Sequence, residues 1–164
     1  MGDARFDGGA GPRAGGGQPK KSRVGDEALG RSRGGLSTKV HMLADARGRP
    51  VHAVLGAGQQ HDCRRALELL RAVGKTGKVL ADKAYDTNQV LAAVEALGAE
   101  AVIPSPPRRH VPRVVDLTCY RQRNQIERLM SRLKQFRRLA TRYDKTASSY
   151  LGFVHFVCAL LWLR

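Results

Sequence analysis

Apolar residues along this chain fall into short runs divided by glycine, proline and charge, and the spacing of those runs predicts alternating strands and helices. Thr38 to Asp45 (TKVHMLAD) and Pro50 to Leu55 (PVHAVL) are strand-like, and Ala46-Arg47-Gly48-Arg49 between them supplies a glycine-containing turn, so the two predict a hairpin. Asp62 stands where an N-cap would for a helix from Cys63 to Val73, with Gly74 as its stop. Lys78 to Ala81 (KVLA) reads as a buried strand running into Asp82. Thr87 is placed to cap a helix to Leu97 with apolar Val90, Leu91, Val94 and Leu97, and Gly98 ends it. Ala99 to Ile103 is a further strand, closed by Pro104, Pro106 and Pro107. Pro106 to Val115 carries three arginines and His110 and reads as a basic loop. Leu117 to about Leu139 predicts the longest helix, and Thr146 to Leu163 a last, apolar one. The order is that of an α/β domain with a mixed sheet.

The first 33 residues follow neither period. They are Gly-rich, with Pro12, Pro19 and the basic run Lys20-Lys21-Ser22-Arg23, and predict a disordered basic head (1–33) before a folded core (34–164). No apolar stretch resembles a signal peptide, and Leu151 to Leu163 is too short to span a bilayer. Cys63, Cys119 and Cys158 have no paired spacing and the five histidines are scattered, which argues against a disulfide framework or a His/Cys metal cluster. A reducing, cytoplasmic setting is expected, with no membrane association.

Charge changes the picture more than composition does. Lys and Arg total 29 against 14 acids, a formal net charge of +15, which points to nucleic acid. It is also local. Residues 61–103 hold six basic and six acidic side chains, whereas residues 104–143 hold eleven basic and two acidic ones.

That basic stretch centres on the predicted long helix, which has three faces. Tyr120, Arg123, Glu127 and Lys134 fall within about 60° of one another at helical spacing. Ile126, Leu129, Met130, Leu133 and Phe136 form an apolar stripe, and Arg121, Arg128 and Arg132 a third. An ordinary amphipathic helix needs two faces. The extra face is either a solvated i,i+4 ion pair between Arg123 and Glu127 or a functional carboxylate ringed by Tyr, Arg and Lys. Asp82 offers a second carboxylate just past a strand end, where α/β sheets place ligand groups, although an Asp before a turn is common. Two such oxygens could share Mg²⁺, with neighbouring cations holding a DNA backbone.

These residues resemble a family. Tyr120, Arg123, Glu127 and Lys134 meet the spacing of the Y-R-E-K signature of DDE-class insertion-sequence transposases. Leu80-Ala81-Asp82-Lys83-Ala84-Tyr85-Asp86 is similar to that family's second-acid motif, with Ala84 in place of the usual Gly. Gly30 to Lys39 (GRSRGGLSTK) and Arg137 to Lys145 (RRLATRYDK) resemble the insertion-sequence-four/five-like group.

The resemblance implies a ribonuclease-H-like mixed sheet flanked by helices and metal-dependent DNA cleavage and strand transfer. It implies Asp82 and Glu127 as the second and third catalytic acids, holding Mg²⁺ or Mn²⁺, with Tyr120, Arg123 and Lys134 positioning the strand. Arg121, Arg128, Arg132, Arg137, Arg138 and Arg142 are the expected DNA contacts, at element ends and target, by a homo-oligomer assembled on DNA. The family's first acid lies on a strand upstream of Gly30. Here only Asp3 and Asp7 stand at that distance, inside a Gly-rich head without strand character. The core is therefore expected to lack its first central strand and to be inactive alone, as a fragment or the second frame of an element whose upstream reading frame supplies the rest. The alternative is a non-catalytic DNA-binding remnant that competes with intact transposase.

Overall fold

The computed structural model describes residues 2–7, 28–32 and 35–163. Strands β1 (Gly2–Asp7), β2 (Gly30–Ser32), β3 (Gly35–Ala44) and β4 (Pro50–Ala57) form one antiparallel sheet in which β3 is paired by each of the other three. Strands β5 (Lys78–Leu80) and β6 (Glu100–Val102) pair in parallel, in the register Lys78 with Glu100 to Leu80 with Val102. Among the described residues there are also six α-helices: α1 (Cys63–Arg71), α2 (Asn88–Ala96), α3 (Leu117–Arg121), α4 (Asn124–Lys134), α5 (Arg137–Thr141) and α6 (Ala147–Trp162). The expected mixed α/β order holds, and none of the helices among the described residues is long and apolar enough to cross a membrane.

The hairpin forms where its turn chemistry places it. The Asp45 carboxylate accepts from the backbone N–H of Arg47 and of Arg49, both at 2.9 Å, and Gly48 takes a φ of +74° that L side chains rarely adopt. Period-two alternation then divides the core. Val40, Met42, Ala53 and Leu55 face one side, packing with Ile126, Leu129, Met130 and Leu133 of α4 and Tyr150, Val154, Val157 and Leu161 of α6. Val54 faces the other, joining Ala66, Leu69 and Leu70 of α1, Val79 of β5, and Val90 and Val94 of α2. The sheet therefore lies between two helical layers. Thr87 caps α2 by accepting from Val90 N–H at 3.3 Å, and Thr146 caps α6 by accepting from Ser149 N–H at 3.2 Å.

Three expectations are corrected. The head is not wholly without structure: Gly2–Asp7 pairs with β3 from Gly2 opposite Met42 to Asp7 opposite Ser37, and Gly30–Ser32 pairs with the start of β3. Main-chain pairing to an available strand edge does not require alternating side chains, so pattern reading missed it. The rest of the predicted head, residues 8–27, lies outside the described residues. Asp62 sits in helical conformation and makes no cap bond; its carboxylate instead pairs with the buried Lys39 ammonium.

The long helix is three. At Gln122 and Arg123 the backbone tightens to i→i−3 hydrogen bonds, Gln122 N–H to Cys119 and Arg123 N–H to Tyr120, both 3.0 Å. At Phe136 the chain is extended (φ −80°, ψ 102°). There Phe136 packs against the core, and the turn lets Leu139 bury and offer its carbonyl to the Tyr150 hydroxyl at 2.8 Å.

Candidate active site

Asp82 follows β5 in extended conformation at the start of a 3-10 turn, Lys83–Tyr85, and is half-buried. The turn closes when Tyr85 N–H donates to the Asp82 carbonyl at 2.9 Å. Tyr120 ends up near Arg123 because the tightened turn between α3 and α4 brings residues three apart nearly into eclipse. The Arg123 guanidinium lies 5.4 Å from the Tyr120 ring centroid and donates through Nη2 to Glu127 Oε1 at 2.8 Å. Burial works against a charge on Arg123, but Tyr120, Glu127 and, from β5, Asp82 outweigh it and hold the guanidinium above its ordinary value. Tyr120 and Glu127 thus contact one cation directly, and Asp82 adds a further negative charge acting on it through space. Glu127 is 55% exposed, so its pair with Arg123 is open to exchange with a ligand.

The remaining predicted residues are placed differently. Lys134 is the exposed last residue of α4, about 10 Å along the axis from Glu127 at 1.5 Å per residue. Arg121, Arg128, Arg132 and Arg137 are exposed, and Arg132 reaches the Gly48 carbonyl at 3.2 Å. Arg138 is committed to Asp144 at 2.6 Å and to the Phe153 ring at 4.6 Å. Arg142 corrects the expectation of a DNA-facing side chain. It is 4% exposed, hydrogen-bonded to Thr38 Oγ1 and stacked on Tyr150 at 5.1 Å, so phosphate cannot reach it without opening the core.

The sequence reading missed the residues that hold this arrangement. The Asp86 carboxylate is fully buried between Arg109 and Arg113; its signal was a second acid four residues after Asp82, followed by an arginine-rich loop. It also missed the buried polar row on β3, where Lys39 donates to the Gln60 carbonyl at 2.8 Å and His41 is fully buried. A cavity of about 450 Å³ opens between the end of β3, β5 and α4, and Arg123 reaches its wall. Neither Asp82 nor Glu127 lines it; Glu127 is exposed and Asp82 half-buried.

Comparison with known proteins bears on this arrangement directly. Residues 10–162 match the family described as transposase DDE domain. The chain is 38% identical over 130 residues to a putative transposase for insertion sequence element IS6501 from Brucella ovis, covering 79% of this chain and all of that protein. It is 30% identical over 156 residues to a putative transposase for insertion sequence element IS402 from Burkholderia cepacia, covering 88% of this chain and 69% of that one. No solved structure matches. A family match over residues 10–162, with these relatives, places this chain in the DDE transposase family of insertion sequences.

Proposed function

We propose that this chain, in the cytoplasm, binds DNA and performs the metal-dependent cleavage and strand transfer of an insertion-sequence transposase, on a ribonuclease-H-like sheet of the four/five-like group. Asp82 serves as the second acid and Glu127 as the third; Arg123 and Tyr120 position the scissile strand, and Lys134 contacts a phosphate beyond them. The observation that carries this reading is the exposed Arg123–Glu127 pair, with Tyr120 beside it and the Asp82 carboxylate within electrostatic reach of the same guanidinium. Such a cation is suited to a phosphate, which can take over from Glu127 as its partner.

DDE-family proteins generally use divalent metal ions. The donors here fit one: both are carboxylates, the hard oxygen ligands that Mg²⁺ and Mn²⁺ prefer, and Glu127 is exposed enough to leave Arg123. Asp82 and Glu127 would hold the ion, which when bound would polarise a phosphoryl oxygen. The chain's own part is to present the two acids and keep Arg123 charged beside them. Strand β1 offers Asp3, in register with His41, and Asp7, in register with Ser37, as positions for a first acid. Oligomerisation on DNA, and a contribution from an upstream reading frame, belong to the same reading.

A second reading, a DNA-binding remnant without catalysis, draws support from the exposed Arg121, Arg128, Arg132 and Arg137, cations that can hold a phosphate backbone without any metal. Element-end DNA with Mg²⁺ or Mn²⁺ separates the two. The catalytic reading expects cleavage, by the chain alone or supplied with the product of the upstream reading frame, that Glu127→Gln and Asp82→Asn each abolish while binding changes little; binding without cleavage in both settings would establish the remnant.

A further inference from the structure

The candidate site joins two stretches far apart in sequence: the turn that carries Asp82, and the α3–α4 segment with Tyr120, Arg123 and Glu127. Pairing with β6 holds the turn on one side, where Ala81 N–H donates to the Val102 carbonyl at 3.4 Å. Asp86 holds the other side. Its side chain is 0% exposed and pairs with Arg109, Nη1 to Oδ2 at 3.1 Å, and with Arg113. Arg109 adds a bond to the Asn88 side-chain oxygen at 2.9 Å, and Arg113 N–H donates to Ser105 Oγ at 3.0 Å. Both arginines belong to the stretch that feeds α3, which Asp116 caps by accepting from Thr118 N–H at 2.8 Å. Tyr120 is one turn further on.

Burying a carboxylate between two guanidiniums is a poor way to gain stability alone, because apolar side chains of similar volume usually do as well or better. What the charged set adds is direction. Two planar forks on one carboxylate fix where the loop sits relative to the turn, and an apolar contact can slide.

We propose that Asp86 is a positioning residue: by clamping Arg109 and Arg113 it sets the separation between Asp82 and the Tyr120–Arg123–Glu127 face, and it withdraws both arginines from nucleic acid. The functional meaning rests on Asp82 and Glu127 acting together, but the clamp is tested without any reaction. In the full chain with Cys63, Cys119 and Cys158 replaced by Ser, nitroxide labels are placed at Lys83→Cys and Asn124→Cys, both exposed positions on the two stretches. Pulsed electron–electron resonance reads the distance between them. The parent gives one narrow distribution, and Asp86→Asn roughly doubles its width as the loop opens locally, with a lower melting temperature.

The triple variant Asp86→Asn, Arg109→Gln, Arg113→Gln buries no charge and is expected to regain melting temperature but not the narrow distribution. It decides the matter if Asp86→Asn alone fails to fold. A distribution as narrow in Asp86→Asn as in the parent overturns the proposal. So does a triple variant that recovers both width and melting temperature, since Asp86 would then serve stability only. Failure of the catalytic reading looks different: cleavage that persists in Glu127→Gln, with the label distances unchanged.

Discussion

Residues 104–143 contain two populations of arginine that look alike in sequence and have opposite fates in the fold. Arg109 and Arg113, half-buried, are spent on the buried Asp86, and Arg142 is spent inside, on Thr38 with Tyr150. Arg121, Arg128, Arg132 and Arg137 stand exposed on α3, α4 and α5, and α4 carries Glu127. The difference teaches that formal charge is not available charge. A net charge counted from sequence overstates the phosphate-binding surface by the cations that the fold has already paired, and the surplus concentrates beside the candidate acids.

The comparison can be broken most sharply at its buried end. Arg142→Ala removes a charged donor from buried Thr38 and leaves a void against Tyr150, and it is expected to cost about 3–4 kcal/mol while leaving the salt dependence of DNA binding unchanged. Denaturant unfolding and binding isotherms read the two effects; a flattened salt dependence in a stably folded variant would return Arg142 to the surface set.

Acid titration probes the buried polar row of β3 next. Burial pushes His41 down to about 4; Asp62 and Glu68 pull it up, and Lys39 and Arg65 push it further down. The unfolded chain therefore binds this proton more readily than the folded one. Stability is full above about pH 6.5, falls by at most about 3 kcal/mol as pH drops towards 4, and levels off below. Asp45 and Asp144, held below their ordinary range against the opposing effect of burial, Asp45 by its bonds with Arg49 and Arg47 and Asp144 by Arg138, add losses only at lower pH. A pH–stability curve that is flat between 6.5 and 4 would contradict the buried neutral imidazole; His41→Leu should flatten it.

At the exposed end, replacing Arg121, Arg128 and Arg132 together by Gln should leave the unfolding midpoint almost unchanged and lower DNA affinity about tenfold, with the log–log salt slope shallower by about 2–3. Arg109→Gln with Arg113→Gln should do the reverse. Identical salt slopes for both variants would erase the distinction between the two populations. The smallest effect expected is Tyr150→Phe, which loses a buried hydroxyl bond to the Leu139 carbonyl and about 1 kcal/mol.

Local signals were legible in the sequence, and long-range ones were not. Thr87, Gly98 and the Ala46–Arg49 turn act within a few residues of themselves, and the structure uses each where the pattern placed it. Asp62 carried a correct local signal that a remote partner, Lys39, overrode. Strand β1 and the break at Phe136 depend on an edge and a core supplied by other parts of the chain. The site divides the same way. Tyr120, Arg123 and Glu127 follow from helical spacing, while the burial of Arg142 depends on Thr38, 104 residues away. Asp86 was quoted within a motif and its role missed, because its partners lie 23 and 27 residues downstream.

One contact of the last helix governs the order in which this fold can be made. Trp162 donates through its indole N–H to the Pro50 carbonyl at 2.6 Å, and Arg49 covers its ring at 4.2 Å. The hairpin is thus latched by a residue made 112 positions later. Until α6 is made, the apolar face of β3 and β4 is covered only in part, by α4, and contacts of such long separation make closure slow. The basic helices are therefore made before the segment that closes the core, and the interval between the two is when this fold is most exposed to aggregation and proteolysis.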